Sequence, residues 1–250
     1  MELSVGSRTE IGPRKMNQDH LGSWPELGLY VVADGMGGHN AGDVASHLAV
    51  EVIHGFITDS ATTSDLTWPF GVQTAHSMAM NRLTTAVRLA NRRIYDEGSK
   101  HAELSGMGTT VVAALVAEGQ MALVSVGDSR VYRFRDGLLE QLTEDDTWLA
   151  SVLGAKEAQA ADRTHPLRHV LTSVVGTRDD VKPGAREETL VVGDTYVLCT
   201  DGVHGRLDHA ALTAVLARAS GPEDRAAQIV EEALARGTSD NATALVITIS

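Results

Sequence analysis

Leu29-Tyr30-Val31-Val32-Ala33-Asp34-Gly35-Met36-Gly37-Gly38-His39 runs from five apolar residues straight into a carboxylate and a cluster of glycines. The apolar run, short and bounded by turn-forming residues, reads as a buried strand. A carboxylate at its end, followed by glycine, lets a cation approach both a side chain and a backbone carbonyl, because Gly35 has no side chain to shield its own C=O. Two stretches of similar build lie far downstream, Thr200-Asp201-Gly202 and Ser239-Asp240-Asn241. Taken singly, Asp-Gly is more often a tight turn. Three acidic strand ends on one chain weigh toward a shared metal site without removing the turn reading. Mg²⁺ and Mn²⁺ prefer carboxylate, carbonyl and water oxygens, and a pair of such ions can lower the pKa of a bridging water.

Outward from this stretch, strand-like and helix-like segments come in blocks. Leu3–Ser7, His20–Trp24 and Leu27–Ala33 read as early strands. Gly42–Ile57 and about Gln73–Gly98 carry apolar residues at helical spacing, Val44, Leu48, Val52 and Ile53 in the first and Leu83, Val87, Ala90 and Ile94 in the second. Gly106–Ala117, Gln120–Val126 and Ser129–Arg135 return to β-branched and apolar strand chemistry, and Asp136-Gly137 marks a hairpin turn. Glu187–Val192, Thr195–Thr200 and Ala242–Ile249 complete the strands, and helices are expected at about Asp208–Ala219 and Glu223–Arg236. Runs of strands followed by runs of helices favour an α+β layered fold with antiparallel sheets. With no repeat, low-complexity tract or Pro/Gly-rich linker, one domain over residues 1–250 is the economical reading.

Composition bounds the function. The chain has 250 residues, 43% hydrophobic and 22% charged, ordinary for a soluble globular protein. A net charge of −12 argues against a nucleic-acid or anionic-membrane surface. No apolar run is long enough to span a bilayer, and Met1–Val5 lacks the features of a signal peptide. A single cysteine, Cys199, excludes an internal disulfide framework and points to a reducing cytoplasm.

Other residues carry chemistry of their own. Arg14, upstream of Asn17-Gln18-Asp19, has the fork of donors that suits phosphoryl oxygens, against the plainer reading of a solvated arginine. Asp128, in Val126-Gly127-Asp128-Ser129-Arg130, is a hairpin-turn residue or a further metal ligand. Cys199 begins no C-x5-R loop, since Gly205 holds the slot where the arginine would stand. Inert packing in an apolar strand is the expectation for it.

The ordered set Arg14-x-x-Asn17-Gln18-Asp19, Ala33–His39, Gly106-Met107-Gly108-Thr109-Thr110, Val126–Arg130, Leu142-Thr143-x-Asp145-Asp146, Leu198-Cys199-Thr200-Asp201-Gly202 and Asp240-Asn241-Ala242-Thr243 resembles the metal-dependent Ser/Thr protein phosphatases of type 2C, the PPM family, in their compact bacterial form. The resemblance implies a four-layer α-β-β-α sandwich with two antiparallel sheets and the metals at one edge between them. It implies that Asp34, the Gly35 carbonyl, Asp201 and Asp240 hold two Mn²⁺ or Mg²⁺ ions, with Asp128 and Asp201 holding a weaker third. Arg14 would grip the substrate phosphate, and Asp19 and Gln18 would sit behind the ligands. The implied reaction is hydrolysis of phosphoserine and phosphothreonine by a water or hydroxide activated between two metals, with no phosphoenzyme. A flap at about 145–172 would flank the site. Implied partners are phosphoprotein substrates and a cognate Ser/Thr kinase, and a monomer is expected.

Some positions depart from the family pattern. Gln18 replaces a common Glu. Met36 stands where eukaryotic members place a histidine, which leaves His39 to donate a proton or to serve a structural role. Gly205 replaces a usual Asp, so the third-metal site is expected to be weak. Gln18 and Gly205 also support an alternative, a pseudophosphatase binding module. Hydrolysis of a small phosphate ester is a second alternative.

Overall fold

The computed structural model describes residues 1–38, 41–62, 68–154, 167 and 170–250. The run Leu29–Ala33 has no exposed residue because both of its faces are covered. It belongs to strand β3 (Leu29–Met36), whose neighbours are β2 (Asp19–Trp24) and β5 (Val111–Ala117). The sheet continues through β6 (Gln120–Val126) to β9 (Gly184–Thr189), and the short β4 (Gly108–Thr109) pairs with the end of β3. A second antiparallel sheet has the order β1-β11-β10-β7-β8, from β1 (Leu3–Glu10), β11 (Ala242–Ile249), β10 (Thr195–Cys199), β7 (Arg130–Arg135) and β8 (Leu138–Gln141).

Alternation along each strand sorts side chains into layers. Leu29, Val31 and Ala33 face helices α1 (Ala41–Thr62) and α2 (Met78–Lys100), meeting Ala45, Ala49, Ile53, Leu83, Val87 and Ile94. Tyr30 and Val32 face the other way, toward Leu198, Leu245 and Ile247 of the second sheet. That sheet's outer face, with Val197, Ala244 and Val246, lies under α5 (His209–Arg218) and α6 (Pro222–Ala235). The result is the expected α-β-β-α sandwich, and strands covered on both sides lose the polar alternation of a half-exposed sheet.

Boundaries differ from the sequence reading in instructive ways. Pro25–Leu27 forms a 3₁₀ turn that ends at Gly28, so β3 begins at Leu29. The second helix starts at Met78 rather than near Gln73: the Ser77 hydroxyl accepts from Met80 N at 3.1 Å, and the buried Asn81 amide holds the Gln73 backbone by two hydrogen bonds. β9 ends at Thr189, leaving Val191 and Val192 exposed in the turn before β10. Among the described residues no helix is long and apolar enough to cross a membrane.

Leu198 lies fully buried between the sheets, two residues before the chain reaches Thr200-Asp201. Leu198→Ala is expected to lower stability by about 2–5 kcal/mol, because the rigid strands around it cannot close the void. Urea unfolding in the presence of a chelator measures this.

Candidate active site

The ends of β3 and β10, the start of β11 and the β6–β7 turn meet at one edge of the sandwich. There Arg14, Gln18, Asp34, Gly35, Asp128, Asp201, Asp240 and Asn241 line a single cavity of about 250 Å³. Among the residues lining it Arg14 is the only cation, against four carboxylates.

Neither acidic Asp-Gly pair of the motif set is a turn. β3 runs on through Asp34 and Gly35, which pair with Thr109 of β4 and with the Gln18 carbonyl. A Cβ on Gly35 would lie 1.9 Å from the Gly42 carbonyl oxygen of α1. Gly202, in the one-turn helix α4 (Asp201–His204), packs as tightly: a Cβ there would lie 1.8 Å from the Asn241 carbonyl oxygen. Both glycines are demanded by backbone contact with a neighbouring element. Asp136-Gly137 is the true hairpin turn, with φ of 52° and 80°.

Asp34, Asp19 and Asp128 are fixed from behind. The Asp34 amide donates to Thr110 Oγ1 at 3.1 Å, and its carbonyl accepts from Thr110 N at 2.8 Å and from Thr109 Oγ1 at 2.9 Å. Asp19, buried in the first sheet, accepts at Oδ2 from Thr200 Oγ1 at 2.9 Å and Thr243 Oγ1 at 2.7 Å in the second. Its Oδ1 is buried and has no hydrogen-bond partner within the protein. Asp128 is buried, and its carbonyl is bonded to His204 Nε2 at 2.9 Å. Thr110, Thr200 and Thr243 fall inside the motifs read from the sequence, but their roles depend on partners as many as 224 positions away.

The electrostatics follow from crowding. Burial pushes Asp34 well above the usual carboxylate range, and repulsion from Asp19, Asp201, Asp128 and Asp240 adds to it. Burial, aided by Asp201 and Asp240, pushes Asp19 up to about 7 despite its two threonine donors. Asp128 is likewise pushed up to about 7, by burial first and then by Asp201 and Asp145. Among the described residues no three His, Cys, Asp or Glu side chains already form a cation cage. The carboxylates of Asp34, Asp128, Asp201 and Asp240 line one shared space. Asp240 is turned to Arg14 in an ion pair, and Arg14 Nε donates to Ser239 O at 3.0 Å. The donor set and the unpartnered Asp19 oxygen fit hard divalent cations.

The base of the expected flap is tied to the site. Asp145 holds the buried Arg130 by a bidentate pair at 2.9 and 2.7 Å, and Asp146 Oδ2 accepts from Gly127 N at 3.0 Å. Thr147 bridges Leu171, which itself lines the cavity. A short helix α3 (Trp148–Leu153) follows, with Trp148, Val152 and Leu153 exposed. His39 and most of Thr164–His169 lie outside the described residues. Cys199 is fully buried, and burial pushes its thiol up to about 12, which removes it as a nucleophile.

The raised carboxylates have a sign-definite consequence. Unfolded, Asp19 and Asp128 titrate near ~3.9; folded, both are pushed up to about 7. Over that window the fold holds protons that the unfolded chain has lost, so stability falls as pH rises from about 4 to about 7. Thermal melts in EDTA should show Tm dropping across the window, and Asp19→Asn should reduce the slope. A flat profile would contradict buried repulsion.

Comparison with known proteins gives the family. A family model described as "Protein phosphatase 2C" matches residues 8–236. The Serine/threonine phosphatase stp of Listeria innocua serovar 6a is 30% identical, over 96% of this chain and 93% of its own length. The Serine/threonine protein phosphatase PstP of Mycobacterium tuberculosis is 33% identical over 98% of this chain, which spans 44% of that longer protein. A crystal structure of the catalytic domain of PstP in complex with two manganese ions superposes with a TM-score of 0.81 at 29% identity, covering 99% of both chains. The chain belongs to the protein phosphatase 2C family.

Proposed function

We propose that this protein is a metal-dependent phosphatase of phosphoserine and phosphothreonine in proteins. The observation that carries the reading is the cavity where Asp34, Gly35, Asp128, Asp201 and Asp240 converge, with burial and repulsion from its neighbours raising the pKa of Asp34. Such a cluster is stable in its ionised form only beside compensating positive charge. Asp34, the Gly35 carbonyl, Asp201 and Asp240 would hold two Mn²⁺ or Mg²⁺ ions, and Asp128 with Asp201 a weaker third. Bound there, the ions supply the Lewis acidity that makes a water nucleophilic at neutral pH. The names of the relatives and the manganese in one of them support this choice.

The chain's own residues do the remaining work. Arg14, at the cavity mouth, is placed to take phosphoryl oxygens with its guanidinium and to offset charge building on them. Asp19, anchored by Thr200 and Thr243, leaves its other oxygen without a partner in the protein, and that oxygen would orient water behind the ligands. Gln18 holds the strand behind the site, its carbonyl accepting from Gly35 N and Ser46 Oγ. Gly205 brings no carboxylate to the third site, and a Cβ there would lie 2.7 Å from the Asp201 carbonyl oxygen. His39 remains a candidate proton donor from the sequence alone. The chain acts as one domain over 1–250, with a flap at about 145–172 beside the substrate. Phosphoproteins and a cognate Ser/Thr kinase are its partners, and it works as a monomer. The buried, unbridged Cys199 fits a reducing cytoplasm.

Hydrolysis of an aryl phosphate and of a phosphothreonine peptide with Mn²⁺ tests this. Turnover should vanish with EDTA. Asp201→Asn should lower kcat by about 100-fold or more, and Arg14→Ala should lower kcat/KM by about 10- to 100-fold. The peptide should be the better substrate. Preference for a small ester would point to the small-molecule reading. Tight Mn²⁺ binding without turnover would make the protein a binding module.

A further inference from the structure

Loop 11–18, which carries Arg14, is exposed over most of its length, yet one short piece of backbone at the start of β11 fixes it at several points. Asn241, itself buried, donates from Nδ2 to Ile11 O at 2.8 Å and to Met16 O at 2.9 Å. Its Oδ1 accepts from Gln18 N at 2.9 Å. The carboxamide therefore satisfies donor and acceptor at once across both ends of the loop. Gly12, at φ 58°, rests on the same backbone, where a Cβ would lie 2.4 Å from the Asp240 carbonyl oxygen. Arg14 Nε donates to Ser239 O at 3.0 Å, and its Nη2 pairs with Asp240. On the opposite side Asn241 is backed by Gly202 of α4, close enough that a Cβ there would touch its carbonyl.

We propose that Asn241 is a positioning residue for Arg14, its carboxamide holding loop 11–18 on the Asp240 backbone so that the guanidinium stays at the mouth of the carboxylate cavity. The inference rests on reading Arg14 as the group that takes substrate phosphate. Asp240 and Asn241, which both line the cavity, then divide two tasks: Asp240 pairs with the Arg14 guanidinium, and Asn241 ties down the loop that carries it. A flexible four-atom stem reaches one geometry only if its Cα is fixed. In an exposed loop, Asn241 and Gly12 supply that fixing.

A double-mutant cycle on the Mn²⁺-loaded enzyme with an aryl phosphate tests it, together with hydrogen–deuterium exchange of the peptide covering residues 10–19. Asn241→Ala is expected to lower kcat/KM about ten-fold when Arg14 is present, and less than about two-fold in the Arg14→Ala background, since residues that act as a unit are not additive. Loop amides should exchange faster in Asn241→Ala while β10 and β11 keep their protection. Gly12→Ala, which pushes the loop off the Asp240 carbonyl, should show the same non-additivity, and it serves if Asn241→Ala does not fold. Equal losses in both backgrounds, or unchanged loop exchange, overturn the positioning role and leave the Arg14 reading intact. If Arg14→Ala alone leaves kcat/KM unchanged, the reading of Arg14 fails and the inference fails with it.

Discussion

Like charges crowded together set the terms for this molecule. Asp19, Asp128, Asp201 and Asp240 all push the pKa of Asp34 up, and the five lie at one edge between two sheets. Nothing local would gather them. What holds them is apolar packing behind the site, where Tyr30, Val32, Leu198, Leu245 and Ile247 fill the space between the sheets. Polar ties close the sandwich at both ends. At the site, Asp19 bonds Thr200 and Thr243 across the gap. Away from it, Arg133 of β7 reaches the buried Glu188 of β9 at 2.6 Å. The repulsion is thus held in place by the whole domain, the condition for preorganising a site that binds positive charge.

Close backbone approach is the second constraint. Gly35 against Gly42 and Gly202 against Asn241 bring α1, α4, β3 and β11 within touching distance. Each contact sits one residue after a site aspartate. The glycine next to each aspartate lets the element carrying it press against its neighbour, so both carboxylates reach the same cavity. The Asn241 carboxamide extends the same principle to loop 11–18.

Much of this was legible in the sequence, for identifiable reasons. Strands covered on both faces read as unbroken apolar runs, and Leu29–Ala33 and Ala244–Ile247 did so. The helices carried their stripes at helical spacing. Ends were misplaced where a cap or tertiary tie decided them, as at Ser77 and Asn81 before α2. The candidate site residues stood out because Asp at the edge of an apolar run is a conspicuous exception to the pattern. Thr110, Thr200, Thr243 and Asn241 did not stand out, because a threonine in a strand or an asparagine in a turn is ordinary until its partner is known.

The sequence by itself determined the layered α+β class, the family resemblance, the acidic residues available for a cation and the absence of a cysteine-phosphatase loop. All of these depend on residue identity and short-range order. Only the tertiary structure decided that Asp34-Gly35 is strand rather than turn and that Asp19 bridges the sheets. It alone paired Arg14 with Asp240 and Asn241 with both ends of the arginine's loop. The bridging and pairing contacts join residues more than 180 positions apart, and only the packing of two sheets against each other brings those atoms within bonding distance.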